Sequence, residues 1–311
     1  MPMTSASPHP TTRNVGFIGL GNMGMPMVLN LLAAAHPTAE GSPIGEVVVT
    51  GRSRDRLEPA LSAGALWADS PAEIAGKCPV IILMVPDLPQ VEELLFATTG
   101  IAGASGSITV VVASSVSPTG IRDLDERLRA ETAGRIRLVD APVSGGTEGA
   151  AAGTLSIMVG GTAEDVDIVL PILAACGTPV HLGPLGSGDV AKACNQLIVA
   201  ATMAAISEAS VIAERSGLDL DVLLTLLSGG YAGSRVLETK KQRLVERDYT
   251  PTGVAKFMVK DLTFATAAAE TTKTQTPTLD AALQSFTNLT NAGLGDDDLA
   301  VIHRWVREQI R

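Results

Sequence analysis

The apolar residues of this chain follow two different patterns, and the change between them predicts two domains. From Asn14 onward, short runs of Val, Ile and Leu alternate with segments of helical spacing. Such continuous apolar strands are typical of a parallel sheet that helices cover on both faces. The predicted strands, in chain order, are NVGFIGLG, EVVVTG, PVIILMVP, SITVVVASS, RIRLVDAP, LSIMVGG and TPVHLG.

The strand pattern stops after residue 180, and the rest of the chain reads as helix. The first helical segment begins near Ser187 and stays apolar and alanine-rich for many turns, so we expect it to connect the two domains. The sequence predicts an α/β fold, with a doubly wound sheet over residues 14–180 and an all-α domain over residues 181–311. Residues 1–13 lack an apolar segment and are predicted to be a flexible tail rather than a signal peptide.

A glycine-rich turn follows the first predicted strand. It has G-x-G-x-x-G spacing and lies between an apolar strand and a helix. In this context the glycines permit a tight turn, let the backbone approach a pyrophosphate and let the helix pack closely on the strand, while the helix N-terminus attracts the phosphates. We therefore expect a Rossmann-type domain that binds a dinucleotide. The candidate cofactor contacts in the turn are Gly19, Leu20, Gly21, Asn22, Met23 and Gly24.

The residues after the second predicted strand indicate which dinucleotide is bound. Arg52, Ser53 and Arg54 stand where an NAD-preferring site usually carries an acid, and the first acid is Asp55. A carboxylate would hold a ribose hydroxyl and repel a 2′-phosphate, whereas arginine and serine bind a phosphate through charge-assisted hydrogen bonds. The sequence predicts NADP as the preferred cofactor, with NAD as the second candidate. An ordinary solvated helix start is the alternative interpretation of these residues.

Composition narrows the classes of partner. Lys and Arg number 23 against 33 Asp and Glu, a formal net charge of −10, which argues against general binding to nucleic acid or to anionic membranes. No apolar run of about 18 residues is free of polar breaks, so we expect no membrane span.

The His and Cys spacings match no metal site, and the 3 cysteines are expected to be reduced, as in a cytoplasmic protein. Cys194 is expected to be a buried small residue.

One lysine interrupts the start of the apolar helical segment. Lys192 is followed by Asn195 and Gln196, and offsets of three and four residues put the three side chains on one helix face. A lysine ammonium can donate a proton to a developing alkoxide and stabilise its charge, provided that burial lowers the pKa of the amine towards neutrality. We interpret Lys192 as the catalytic residue and Asn195 as a contact to a substrate hydroxyl or carboxylate. A solvated first helical turn is the alternative.

The segment DAPVSGG, residues 140–146, begins at the end of the fifth predicted strand. The hydroxyl of Ser144 and the amides of Gly145 and Gly146 would form a small donor-rich concavity that suits a substrate carboxylate. Asp140 is expected to organise the turn rather than to titrate in catalysis. A simple strand-to-turn connection is the alternative interpretation.

The chain resembles the β-hydroxyacid dehydrogenase family, which includes 3-hydroxyisobutyrate dehydrogenase and tartronate semialdehyde (2-hydroxy-3-oxopropionate) reductase. The resemblance covers residues 14 to about 308 and rests on four motifs in order: GFIGLGNMGMPM, DAPVSGG, GSGDVAKACNQ and FMVKDL. The segment KACNQLIVA followed by SGGYAGSRVLE is more similar to the tartronate semialdehyde reductases, whereas the tail NAGLGDDDLAVI resembles the threonate dehydrogenase branch. The family is therefore better specified than the substrate.

The resemblance implies an NAD(P)-dependent enzyme that interconverts a small 3-hydroxy acid and its 3-oxo acid by hydride transfer. It also implies that Lys260 reaches the nicotinamide end from the helical domain, although Lys260 and Asp261 could instead form a surface pair. The apolar helical domain predicts a homo-oligomer, at least a dimer. The residues that the resemblance places along the cofactor near the nicotinamide are Val85, Pro86, Gln90 and Ser115.

Two residues depart from the pattern of the family. Val112 stands where relatives often have Asp, and Gln196 stands where several relatives have a second Asn. Two further functions remain as alternatives. Imine reductases share the fold but generally lack the lysine, so Lys192 argues against that activity. A non-catalytic, cofactor-binding interaction protein would also have lost the lysine, and the same residue argues against it.

Overall fold

The computed structural model describes residues 12–35 and 42–309. Most of the predicted flexible tail, residues 1–11, lies outside the described residues. Residue contacts divide the chain into two units, with the division between Lys192 and Ala193. This division comes later than the predicted boundary at residue 180, because β-structure continues to Gly183 and the first helical turns after it contact the sheet.

Nine strands in the described residues form one sheet in the first unit. Their order is β3-β2-β1-β4-β5-β6-β8-β7, and β9 pairs with β8. The pairs β6–β8 and β7–β8 are antiparallel and the others are parallel. The strands are β1 Arg13–Ile18, β2 Ile44–Thr50, β3 Leu66–Trp67, β4 Val80–Leu83, β5 Ile108–Val112, β6 Ile136–Asp140, β7 Val143–Ser144, β8 Leu155–Gly160 and β9 Gly177–Gly183.

Helices cover both faces of this sheet, which confirms the predicted α/β class. Alternate residues of a strand point to opposite faces. Accordingly, Phe17 and Val49 belong to one apolar cluster. Their strand neighbours Ile18 and Val48 belong to a second cluster. The helices of this unit are α1 Gly24–Ala34, α2 Glu58–Ser62, α3 Pro71–Lys77, α4 Leu88–Phe96, α5 Pro118–Thr132, α6 Gly146–Ala152 and α7 Ala163–Leu173.

The second unit is helical and has its own apolar core. Its largest fully buried side chain is Phe286, which packs in a cluster with Met203, Leu262 and Val301. The connecting helix α8, Ser187–Arg215, begins in the first unit and continues into the second. It is followed by α9 Leu220–Ser228, α10 Arg235–Glu246, α11 Lys256–Thr272, α12 Pro277–Leu289 and α13 Val301–Glu308.

A buried histidine joins three segments of the second unit. His303 on α13 accepts or donates a hydrogen bond at Nδ1 with the Tyr249 hydroxyl, at 2.9 Å. Its Nε2 lies 3.5 Å from Glu214 Oε2 on α8. Burial lowers the pKa of His303 from its ordinary value of 6.5, while the charge of Glu214 opposes this shift. The arginines Arg247 and Arg307 add to the lowering.

Helix α8 also bears on the expectation of no membrane span. Among the described residues it is the one helix that is long and apolar enough to cross a membrane, with a mean hydropathy of 1.6 over its most apolar window. Polar residues interrupt the apolar run of this helix, which is why the sequence predicts no membrane span. One third of that window is buried inside the protein, and a core helix of a soluble protein meets the same criterion.

Candidate active site

The candidate dinucleotide site is built on the turn between β1 and α1. Gly19 has a φ of +103°, and a Cβ at this position would lie 2.2 Å from the backbone oxygen of Met84. A Cβ on Gly24 would lie 2.0 Å from the backbone oxygen of Gly19. The first and third glycines of the motif are therefore required by local geometry, the first by its backbone conformation and both by close contact.

The middle glycine has a different environment. Apart from Gly21 itself and its two chain neighbours, no described atom lies within 4 Å of the position that a Cβ on Gly21 would occupy, and Gly21 and Asn22 are both exposed. Met23, which precedes the first residue of α1, makes no side-chain hydrogen bond to the first N–H groups of the described helix. An open glycine in front of such a helix N-terminus fits a pyrophosphate, which these N–H groups bind. The turn thus fits the predicted cofactor.

The predicted phosphate-binding cations lie at the same edge of the sheet. β2 runs parallel to β1 and ends at Thr50, so the residues that follow both strands lie together. Arg52 and Arg54 are exposed, and Ser53 is half-buried. The guanidinium carbon of Arg54 lies 5.7 Å from the ring centroid of Trp67 on β3. Two cations and a hydroxyl are therefore available where the sequence predicts a 2′-phosphate.

The loops after β4 and β5 are held together by a serine. Ser114 Oγ accepts a hydrogen bond of 2.9 Å from the backbone N–H of Val85. Pro86 is exposed, and Ser115 is half-buried beside Ser114. Gln90 is half-buried in the first turn of α4. Val85, Pro86 and Ser115 thus follow the carboxyl ends of two adjacent strands, and Gln90 lies in the helix that comes after the first of them.

The departure at Val112 has a simple physical basis. Val112 is the last residue of β5, is fully buried, and pairs in register with Leu83 on one side and Asp140 on the other. It belongs to an apolar cluster of the sheet, where a side chain without polar atoms leaves no hydrogen bond unmade. The hydrogen bond that joins the loops after β4 and β5 is made by Ser114.

Asp140 connects the sheet to the start of α8. Its Oδ1 accepts a hydrogen bond of 2.7 Å from the N–H of Gly186, and its Oδ2 accepts one of 2.8 Å from the N–H of Asp189. Burial raises the pKa of the Asp140 carboxyl, and the backbone N–H donors oppose that shift. The predicted role of Asp140 was in its own turn, residues 140–146. The structure instead places the carboxylate at the start of α8, where backbone groups take up its polar contacts.

Glycines allow this junction to be tight. A Cβ on Gly188 would lie 2.2 Å from the backbone oxygen of Met158 on β8 and 2.8 Å from Asp140 Oδ2. A Cβ on Gly160 would lie 2.3 Å from Asp140 Oδ1. Asp189, in the first turn of α8, accepts a hydrogen bond of 3.0 Å from the N–H of Val116 after β5. The start of α8 is therefore fixed to the sheet.

Lys192 is placed by this junction. It is half-buried one turn into α8, and its Nζ donates a hydrogen bond of 2.9 Å to the backbone oxygen of Val143. Val143 immediately precedes Ser144, Gly145 and Gly146, the residues predicted to bind a carboxylate. The structure thus brings the candidate catalytic lysine to the candidate substrate segment, although the two lie far apart in sequence.

The segment around Ser144 presents donors in an unusual backbone conformation. Ser144 ends β7 and is half-buried, whereas Gly145 and Gly146 are exposed. Gly145 has a φ of +138° and Gly146 a φ of +66°, conformations that side chains rarely adopt. Because α6 begins at Gly146, its first N–H groups lie at this turn. These donors can bind an anionic oxygen.

The remaining candidates belong to the second unit. Asn195 Nδ2 donates a hydrogen bond of 2.9 Å to Gln196 Oε1, and Gln196 Nε2 donates one of 2.6 Å to Asp261 Oδ2. Lys260 Nζ lies 3.9 Å from Asp261 Oδ1 and 5.8 Å from the ring centroid of Phe264. The role of Lys260 at the cofactor stays a prediction.

Several residues of the site were missed by the sequence analysis. Asp189, Ser114 and Asp261 all make hydrogen bonds that fix candidate residues. Asp189 and Asp261 lie inside two of the quoted motifs, but a motif does not show which partner such a side chain binds. Cys194 was predicted to be buried and is exposed, because it lies on a different face of α8 from its buried neighbour Ala193. No group of three or more His, Cys, Asp or Glu in residues 12–35 and 42–309 could hold a metal ion.

Two family models match the chain. The NAD binding domain of 6-phosphogluconate dehydrogenase matches residues 14–186, and the NAD-binding domain of NADP-dependent 3-hydroxyisobutyrate dehydrogenase matches residues 186–306. The two matches meet at the start of α8. A nicotinamide dinucleotide is therefore the cofactor class.

Individual proteins agree with these matches. The chain is 38% identical to 2-hydroxy-3-oxopropionate reductase of Escherichia coli (strain K12), over 82% of this chain and 84% of that protein. It is 33% identical to NAD-dependent L-serine dehydrogenase of Pseudomonas aeruginosa, over 94% and 97% of the two chains. A crystal structure of 3-hydroxyisobutyrate dehydrogenase from Salmonella typhimurium superposes with a TM-score of 0.82 at 28% identity, over 94% of this chain and 99% of that one.

Proposed function

The chain belongs to the β-hydroxyacid dehydrogenase family, related to 3-hydroxyisobutyrate dehydrogenase, and from that premise we propose its substrate and the roles of its residues. Family membership makes it an NAD(P)-dependent dehydrogenase or reductase, as the resemblance predicted. We propose that it interconverts 2-hydroxy-3-oxopropionate or a closely related 3-oxo acid and the corresponding 3-hydroxy acid, with NADP as the preferred cofactor. The observation that carries the catalytic assignment is the hydrogen bond from Lys192 Nζ to Val143 O beside Ser144, and the 38% identity to 2-hydroxy-3-oxopropionate reductase supports the substrate.

Lys192 acts on the substrate oxygen in this proposal. An ammonium has three N–H donors, of which one is directed to Val143 O. Another donates to the carbonyl oxygen, stabilises the alkoxide that develops there and passes its proton to it, and in oxidation the amine takes the proton back. Bound nicotinamide supplies the hydride in reduction and accepts it in oxidation. Val143 O holds the lysine in one orientation through both directions.

The substrate carboxylate is assigned to the turn at Ser144, Gly145 and Gly146. A hydroxyl and backbone N–H groups at a helix start favour an anion without introducing a full positive charge. Asn195 contacts the hydroxyl or carboxylate of the substrate, and Lys260 contacts the cofactor. The turn Gly19–Gly24 holds the pyrophosphate, while Val85, Pro86, Gln90 and Ser115 line the cofactor.

Lys192 is tested by two substitutions. Lys192→Ala should lower kcat by about 100-fold to 10,000-fold, the usual contribution of general acid catalysis. Lys192→Arg keeps the charge but holds its proton far more strongly, so it should recover little of kcat. Circular dichroism and Tm check the fold of both variants. Turnover of Lys192→Ala within a factor of two of the wild type contradicts the assignment.

The NADP preference rests on Arg52 and Arg54, with Ser53 between them. Arg52→Ala and Arg54→Ala should each lower kcat/KM for NADPH by about tenfold, the effect of removing one charge-assisted hydrogen bond, and should leave kcat/KM for NADH nearly unchanged. Arg304→Ala, which removes an exposed arginine of α13, is the matched control. A wild-type enzyme that prefers NADH overturns this part of the proposal.

The second candidate substrate class is that of serine-like and threonate-like acids. The L-serine dehydrogenase relative is matched over more of the chain than the reductase, although at lower identity. A panel of 2-hydroxy-3-oxopropionate, methylmalonate semialdehyde and succinic semialdehyde with NADPH, followed by L-serine, L-threonate and 3-hydroxyisobutyrate with NADP, separates the candidates. The highest kcat/KM identifies the substrate, and turnover of L-serine alone would replace the first candidate by the second.

A second copy of the chain is the partner that we propose for the helical unit. Ile198 and Ile212 on α8, Leu218 before α9, and Val222 and Leu226 on α9 are each more than half exposed. Exposed apolar groups of this kind mark an interaction surface. Light scattering after gel filtration should give a dimer or a larger homo-oligomer, and a monomer contradicts the proposal. We also propose a cytoplasmic location without membrane insertion, which the three free cysteines support.

A further inference from the structure

A short chain of hydrogen bonds in the second unit fixes the orientation of Asn195. Gln196 is its middle member. The Gln196 amide nitrogen donates to Asp261 Oδ2 at 2.6 Å and lies 3.9 Å from Met258 Sδ, and the Gln196 amide oxygen accepts from Asn195 Nδ2 at 2.9 Å. Asp261 is 8% exposed, so its contact with Gln196 is largely shielded from water.

The orientation of both amides follows from the chemistry of Asp261. An ionised carboxylate and a thioether sulfur accept hydrogen bonds and do not donate them. Gln196 must therefore turn its NH₂ group towards Asp261 and Met258, and its oxygen must face Asn195. An amide oxygen accepts only, so Asn195 must present its NH₂ group to Gln196. The Oδ1 of Asn195 is thereby directed away from Gln196.

We propose that Gln196 and Asp261 are positioning residues that make Asn195 Oδ1 a hydrogen-bond acceptor for the substrate. This inference rests on the proposed function, in which Asn195 contacts the substrate. An acceptor binds a hydroxyl group and disfavours a carboxylate oxygen. The chain therefore selects 3-oxo acids that carry a hydroxyl on the carbon between the carboxylate and the carbonyl, over acids that carry a methyl group there.

The two probe substrates differ only in this group. 2-Hydroxy-3-oxopropionate and 2-methyl-3-oxopropionate share the aldehyde and the carboxylate, and a hydroxyl and a methyl group have nearly the same size. The ratio of their kcat/KM values with NADPH is the measured quantity. Lys260 lies beside Asp261 and is proposed to contact the cofactor, which both probes share, so an effect of the variants on Lys260 cancels in this ratio. A site that hydrogen-bonds a substrate hydroxyl should favour the first probe at least about tenfold.

Two variants test the positioning role. Asp261→Asn has the same shape but can offer either an oxygen or an NH₂ group, so Gln196 and Asn195 are no longer held in one orientation, and the ratio should fall about tenfold. Adding Gln196→Glu to that variant should restore the ratio. In the double variant the amide at position 261 donates a hydrogen bond to one oxygen of the carboxylate at position 196. The other oxygen of that carboxylate again accepts a hydrogen bond from Asn195.

Gln284→Leu is the matched control, because Gln284 is an exposed glutamine on α12 that donates to Asn288 at 2.7 Å. This variant should keep the wild-type ratio. A ratio that is unchanged in Asp261→Asn, or that is lost there and not restored in the double variant while both proteins melt as the wild type does, overturns the inference and leaves the proposed function intact. If the wild type reduces neither probe, the proposed function fails, and the inference fails with it.

Discussion

Replacing Gly188 with alanine should separate the start of α8 from the sheet. The new Cβ would lie 2.2 Å from Met158 O and 2.8 Å from Asp140 Oδ2, whereas ordinary contacts begin at 3.4 Å. Both neighbours are held in place, the first as strand backbone and the second by its two backbone donors. The helix start must therefore move by about 1 Å, as the contact distances require.

The magnitude follows from three contributions. Overpacking of this kind costs about 1–3 kcal/mol. Weakening one hydrogen bond to the Asp140 carboxylate adds about 1.5–3 kcal/mol, and the better helix propensity of alanine returns up to about 1 kcal/mol. The free energy of unfolding should fall by about 1.5–6 kcal/mol, which a domain in the middle of the ordinary stability range of about 5–15 kcal/mol survives at 25 °C.

Urea unfolding followed by circular dichroism measures the loss of stability, and steady-state kinetics of the folded variant measures the effect on Lys192. Because Lys192 lies one turn beyond Gly188, a displacement of about 1 Å should lower kcat by up to about 100-fold. Gly76→Ala is the control, since nothing described lies within 4 Å of that position on α3, and it should be neutral or slightly stabilising. If Gly188→Ala matches Gly76→Ala in both stability and kcat, the close contact does not hold the helix start.

Three further predictions concern titratable groups. Burial lowers the pKa of His303, so its contribution to stability is present above pH 6.5 and is lost as the pH falls through the lowered pKa. His303→Gln should therefore flatten the decline of Tm that the wild type shows between about pH 6.5 and 5. Parallel plots of Tm against pH for the two proteins refute this prediction. Burial raises the pKa of the thiols of Cys78 and Cys176 to about 12. At pH 8 a thiol reagent should therefore label only Cys194 in the native protein, and it should label no cysteine in the native Cys194→Ser variant. Rapid labelling of a second thiol in the wild type contradicts the burial of Cys78 and Cys176. Asp140→Asn replaces an acceptor by a donor facing a backbone N–H and should lower the free energy of unfolding by about 2–4 kcal/mol in urea titrations; a loss below about 0.5 kcal/mol would show that the carboxylate does not hold the turn.

The sheet was predictable from the sequence because its central strands are buried on both faces and read as continuous apolar runs. The two-residue strands β3 and β7 carry too little pattern to be recognised, and the antiparallel pairing of β8 depends on contacts between distant segments. The domain division depends on how the first turns of α8 pack on the sheet, and such packing is not visible in the periodicity of a helix.

The candidate site was predictable where chemistry restricts the residue type. Glycines at a phosphate-binding turn and a lysine in an apolar helix are conspicuous in a sequence. The acceptors and donors that hold such residues are not, because Asp140, Asp189, Ser114 and Asp261 act through hydrogen bonds to partners that are distant in sequence or ordinary in type. Val143 contributes only its backbone oxygen, and no side-chain pattern announces a backbone contact.

The junction at Asp140 also sets an order on refolding. Its hydrogen bonds to Gly186 and Asp189 span 46 and 49 residues, and long-range contacts of this kind are slow to form. The α8 segment can become helical before these bonds form, and Lys192 is then not yet held beside Val143. After dilution from denaturant, enzymatic activity should therefore recover more slowly than the helical signal in circular dichroism. The delay between the two would measure the time at which the hydrogen bonds to Asp140 form.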